Sequence, residues 1–135
     1  MTAVEAGTRL PGFNTSVTRA TLVRYAGAST DFNPIHYSDR KALELGLPTV
    51  IAHGMLTMGM ALRVVTDWCG DPSKVLSYYV RFTKPVTVED TDEGSTVTFG
   101  GTVTKVSDGV ATVSIEALFN DTKVLGAATA EVRLD

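Results

Sequence analysis

Cysteine and histidine are nearly missing from this chain: its 135 residues include one Cys, Cys69, and two His, His36 and His53. One thiol excludes an intrachain disulfide framework, and three such side chains are too few for a Cys/His zinc site. The chemistry is therefore expected to be metal-free or carboxylate-based, with no cofactor. Basic charge is not in excess either. With 12 Lys plus Arg against 15 Asp plus Glu, the net charge of −3 argues against nucleic acid as a partner. Long apolar runs are also absent. The most apolar stretch, Val50 to Val65, is broken by His53 and Arg63 and falls short of the roughly 20 residues a bilayer-spanning helix needs. It belongs in a core, and membrane insertion is not expected. The amino terminus shows neither a basic leader nor an apolar signal stretch, which with the missing disulfides points to the cytoplasm.

What is present is an ordinary globular composition, 44% hydrophobic and 20% charged, in a length suited to one domain over 1–135. Val and Thr supply 15 of the first 71 residues but 21 of the last 64, a shift toward β-branched residues that favours strands after Pro72. Apolar residues alternate there in four runs: Leu76, Tyr78, Val80 and Phe82; Val97, Phe99 and Val103; Val113, Ile115, Ala117 and Phe119; Val124, Gly126, Ala128, Ala130 and Val132. Turn residues separate the runs at Pro85, Asp92-Glu93-Gly94, Asp108-Gly109 and Asn120-Asp121, so consecutive strands are expected to pair as hairpins in a meander.

The first half predicts a short strand at Phe13 to Val17, a helix from Thr18 with Leu22, Tyr25 and Ala26 on one face, and a short helix capped by Ser38 that stops at Gly46. A third helix runs from His53-Gly54 to about Trp68. It is apolar nearly all round, which predicts burial on most sides. The expected fold is α+β, an antiparallel sheet of about five strands wrapped around a long central helix. Such a sheet leaves an edge exposed, so a dimer is expected.

Two segments carry the chemistry. Thr30-Asp31-Phe32-Asn33-Pro34-Ile35-His36 puts a carboxylate and an imidazole on one loop, where Asn33-Pro34 forbids helix and the Asn33 side chain can fix the turn. An acid and a base facing one point are what proton transfer on a small molecule requires. Ala52-His53-Gly54-Met55 opens the long helix, where free backbone N–H groups favour negative charge and Gly54 admits a ligand oxygen closely. Each segment alone also fits a purely structural role. Asp31 and Asn33 would then only satisfy turn backbone, and Gly54 would only permit close packing.

Together, Asp31-Phe32-Asn33-Pro34-Ile35-His36 with Asp39 and the downstream Ala52-His53-Gly54-Met55 resemble the hydratase motif of the MaoC-like family. That resemblance implies a hot-dog fold and (R)-specific hydratase or (3R)-hydroxyacyl thioester dehydratase activity, as in fatty-acid metabolism. Tyr25-Ala26-Gly27, Ile51 to Gly59, Gly70-Asp71-Pro72 and Val80-Arg81-Phe82-Thr83 resemble more narrowly the catalytic B subunits of actinobacterial (3R)-hydroxyacyl-acyl carrier protein dehydratases. In those, a related hot-dog subunit without the catalytic pair shapes the acyl channel, so both a homodimer and a heterodimer stay open. Two positions depart from the family pattern. Thr30 stands where glycine is frequent, and Leu62 where some homodimeric hydratases have serine.

The resemblance implies reversible dehydration of a (3R)-3-hydroxyacyl thioester of acyl carrier protein or CoA. Asp31 and His36 would be the catalytic pair in either division of labour, the Gly54 N–H the oxyanion donor, and Asn33 a loop-positioning residue. Arg81 and Lys84, with Arg40 and Lys41, are candidates to meet the phosphates of the carrier arm. His53 is expected to be structural. A hot-dog thioesterase and a silent acyl-binding subunit are the competing readings. The first would want a carboxylate on the central helix, where only Asp67 stands.

Overall fold

Capping chemistry sets the helix starts. The Thr18 hydroxyl accepts the Thr21 N–H (3.2 Å) and the Thr21 hydroxyl accepts the Thr18 N–H (3.1 Å), a reciprocal cap that begins helix α1, Arg19–Ser29. Ser38 caps α2, Asp39–Glu44, by accepting the Lys41 N–H, and the chain leaves this helix through Gly46 at φ +80°. The central helix α3 spans Gly54–Cys69 and stops at left-handed Gly70. The structure, a computed structural model, describes residues 3–135. Among them, no helix is long and apolar enough to cross a membrane.

Six strands form one antiparallel sheet: β1 Arg9–Val17, β2 Val75–Phe82, β3 Ser95–Ser107, β4 Val110–Phe119, β5 Thr122–Lys123 and β6 Leu125–Arg133. Their order is β1-β3-β4-β6-β2, with two-residue β5 on β4. Asp108-Gly109 joins β3 to β4 with both residues at positive φ (54° and 75°), and Asn120-Asp121 joins β4 to β5 in the same way (51° and 59°). Two-residue hairpins of that hand match the strand twist. The inner face carries Val97, Phe99, Val103, Val113, Ala117, Ala130 and Val132, which close the core with Ala61, Val64 and Val65 of α3. Gly101 allows the helix to come close, since a Cβ there would lie 2.9 Å from Val64 Cγ1. This is the α+β, hot-dog arrangement of helix in sheet.

Three expectations need correction. β2 does not pair with β3: it lies at the far edge beside β6, because residues 83–94 carry the chain across the molecule, pairing Val88 with Val50 on the way. The meander is therefore β3-β4-β6. β1 is longer than expected and contains Pro11-Gly12 at a register shift between Leu10 and Phe13, an irregularity that accommodates proline near a sheet edge.

The third correction concerns burial. α3 hides one face only, through Thr57, Ala61, Val64 and Val65, while Met55 is exposed and Leu56, Met60 and Leu62 are half-buried. On β2, register shifts break the alternation, so Tyr78 and Val80 turn inward but Leu76 and Phe82 remain 52% and 56% exposed.

Candidate active site

The loop between α1 and α2 is built from short side-chain turns. Asp31 Oδ1 accepts the Asn33 N–H (3.1 Å), and Asn33 Oδ1 accepts the Ile35 N–H (3.2 Å) and opens a 3-10 turn, Pro34–His36. That turn drives the His36 ring inward until it is only 8% exposed. Its Nδ1–H donates to the Ile51 carbonyl at 2.8 Å. A carbonyl can only accept, so in the neutral ring the lone pair lies on Nε2. Asp31 Oδ2 stands 3.8 Å from that Nε2, on a side chain half open to solvent.

Beneath this pair lies His53. Its ring stacks on His36 with centroids 3.8 Å apart and planes inclined by 23°, while Tyr25 meets it edge-on. His53 Nε2–H donates to the Asp31 carbonyl (3.2 Å), which ties the start of α3 to the loop. Its side chain does not cap α3. Burial holds the His53 pKa below its ordinary value, only partly opposed by the bond to the Asp31 carbonyl, and so favours the neutral ring. Among the described residues, His53 Nδ1 is the one buried side-chain polar atom without a hydrogen-bond partner.

A cavity of about 250 Å³ opens beside the pair, lined by His36, Gly54, Thr57, Phe82, Lys84 and Leu125 among others. Gly54 begins α3, and its N–H has no protein acceptor among the described residues. A Cβ at Gly54 would sit 3.2 Å from the Phe82 ring, so the glycine keeps the approach between ring and helix open. His36, Gly54 and Lys84 thus share one cavity, with Asp31 beside His36 and Asn33 holding the turn. Arg81 does not line it. Arg40 and Lys41 both pair with Glu44 on α2 (3.3 and 3.2 Å). Asp67 pairs with Arg63 at the opposite end of α3.

Asp31, His36 and His53 each offer a ligand atom within 4.8 Å of the others. Nearly parallel stacked rings send their in-plane lone pairs side by side rather than toward a common centre about 2 Å from each nitrogen, and His36 Nδ1 and His53 Nε2 are already bonded. The layout suits proton transfer better than metal ligation. The Ile51 carbonyl and the Phe82 ring escaped the sequence reading. A backbone acceptor leaves no trace in residue type, and Phe82 read as an inward strand position.

A long helix packed in an antiparallel sheet, with a carboxylate and an imidazole side by side near the helix's first residue, defines a hot-dog protein. The chain belongs to the MaoC-like domain family, whose model matches residues 6–118. It is similar to the 3-oxo-4,17-pregnadiene-20-carboxyl-CoA hydratase beta subunit of Mycobacterium tuberculosis, 34% identical over 94 residues, covering 70% of this chain and 69% of that one. A solved MaoC-like dehydratase superposes with a TM-score of 0.93 at 40% identity, over 98% of this chain and 41% of that one. This chain thus spans less than half of that solved protein. The ChsH1-ChsH2 complex from Mycobacterium tuberculosis matches with a TM-score of 0.83 at 29% identity, over 100% of both chains.

Proposed function

We propose that this protein is the catalytic subunit of a (3R)-3-hydroxyacyl thioester dehydratase, equally able to hydrate the trans-2-enoyl thioester. The observation that carries the reading is the bond from His36 Nδ1–H to the Ile51 carbonyl, which in the neutral ring leaves Nε2 bare, 3.8 Å from Asp31 and beside a cavity that His36 and Gly54 both line. Family membership and the hydratase named among the relatives support it.

In the dehydration direction His36 Nε2 takes the α-proton and the charge that develops on the thioester oxygen meets the Gly54 N–H. As the double bond forms between Cα and Cβ, the Cβ–O bond breaks. His36 returns its proton to the departing hydroxyl, which leaves as water held by Asp31. One proton moved across one face balances the reaction. In hydration Asp31 orients the incoming water and the steps reverse.

The carrier arm, on CoA or acyl carrier protein, enters past Lys84, with Arg81 farther along β2. Charge reversal at Lys84 should raise KM several-fold for the carrier-bound substrate with little change in kcat. The exposed β2 edge and the uncovered side of α3 support a second hot-dog chain as partner, either a copy or a related subunit. The two-protein ChsH1-ChsH2 complex supports the related subunit, and fatty-acid elongation is the expected setting.

Steady-state hydration of crotonyl-CoA tests the reading. His36→Ala and Asp31→Asn should each lower kcat by roughly 10²–10⁴-fold without unfolding the chain. Near-wild-type turnover in both would overturn the mechanism. Release of free thiol would instead identify a thioesterase, and no turnover at all a silent acyl-binding subunit.

A further inference from the structure

Asp39 lies outside the cavity, yet one of its oxygens gathers three donors. Oδ1 accepts the Thr49 hydroxyl (2.7 Å), the Val50 N–H (3.0 Å) and the Arg19 Nη2 (2.8 Å). Arg19 also donates Nε to the Val88 carbonyl (2.6 Å) and Nη2 to the Thr49 hydroxyl (3.0 Å). The Val88 N–H in turn donates to the Val50 carbonyl (2.8 Å), so the bonds close a ring through residues 19, 39, 50 and 88. Arg19 is the first residue of α1 and Asp39 the first of α2. The acid–base loop runs between these two helices, and both are fastened at their amino ends to one point.

That point is the short stretch preceding Ile51. Val50 and Ile51 belong to no helix or long strand; a single bridge to Thr87 marks Ile51. The Ile51 carbonyl shares its peptide plane with the Ala52 N–H, which donates to the Val86 carbonyl (2.8 Å), and the Ile51 N–H donates to the Ile35 carbonyl (3.1 Å). With the Asp39 bonds one residue earlier, these fix the direction of the acceptor that decides which His36 nitrogen carries the proton. A carboxylate that accepts from both Thr49 and Val50 orders the backbone immediately before it, through charge-assisted bonds stronger than neutral ones.

We infer that Asp39 is a positioning residue for His36: with Arg19 and Thr49 it orients the Ile51 carbonyl and so holds the imidazole in the Nδ1–H tautomer. It touches no substrate and acts through the backbone. The inference deepens the dehydratase reading and rests on it for its kinetic consequence alone. A ring free to exchange tautomers offers Nε2 as a base for only part of the time, while binding of the thioester is little affected. The loss falls on kcat rather than KM.

The test has two readouts on the full chain. Long-range ¹H–¹⁵N spectra show just two imidazoles, and in wild type His36 should be bare at Nε2. Asp39→Ala should give averaged His36 nitrogens and a kcat about tenfold lower, with KM changed less than twofold, as for loss of a supporting contact behind a functional group. Asp39→Asn keeps the shape and one neutral acceptor; it should fall between the two, and it decides the matter if the alanine variant does not fold. A folded Asp39 variant with wild-type His36 nitrogens overturns the inference even if activity falls. Wild-type protein that shows this tautomer but turns over no enoyl thioester leaves the positioning intact and removes the dehydratase reading instead.

Discussion

Two stacked imidazoles with their ring protons on opposite nitrogens form the centre of the site. Carbonyls dictate both choices, Ile51 for His36 and Asp31 for His53. The ¹⁵N spectrum should therefore contain one imidazole of each tautomer; two of the same kind would contradict the geometry. His53 also sets a pH dependence. Its pKa is depressed in the fold by burial, so below its ordinary 6.5 the unfolded chain binds the extra proton more readily than the folded one. Stability is complete above pH 6.5 and declines as pH falls through the folded pKa. Thermal unfolding followed between pH 8 and 5 should show that decline, and His53→Phe, which keeps a ring in the stack, should flatten it. Thr30 occupies the left-handed region at φ 65°, costly for a β-branched residue. Thr30→Gly relieves the strain but loses chain entropy, and should stabilise by about 0.5 kcal/mol in denaturant titrations.

Elements written in local chemistry were legible. The starts of α1 and α2 followed from Thr18 and Ser38, and the β3–β4 hairpin from Asp108-Gly109, because cap and turn act within a few residues of where they are read. The Asp31, Asn33 and His36 loop was readable for the same reason. What escaped was set by contacts distant in sequence. The pairing of β2 with β6 rather than β3 depends on the long connection through residues 83–94, and the exposure of Leu76 and Phe82 on register shifts that alternation does not encode. The Ile51 carbonyl, a backbone group, has no residue signature. Packing of α3 on the sheet gives a sharp element-level test at adjacent glycines. Gly101→Ala forces a methyl against Val64 and Val113 and should cost about 1–3 kcal/mol, whereas Gly100→Ala, with open space at its Cβ, should stay within about 0.5 kcal/mol in the same denaturant assay.

At the scale of the whole molecule, one side of α3 and the β2 edge are left uncovered, with Leu76, Tyr79 and Phe82 all exposed along that strand. Light scattering at micromolar concentration should report a dimer, of two copies or with a related subunit, and Tyr79→Asp on the edge should shift it toward single chains. A monomer under both conditions would exclude the pairing. The sheet order has a further consequence for how the molecule comes into being. The cavity draws on residues 35, 36, 51, 52, 54, 57, 82, 84–86, 124 and 125, and β2, the edge strand that ends at Phe82, rests on β6, the last strand among the described residues. The loop of Asp31 and His36 precedes both of these strands in the chain, and it has no finished wall beside it until they have paired. Contacts of such long range close slowly compared with the local β3–β4 hairpin, so the candidate site takes shape only when the entire sheet does.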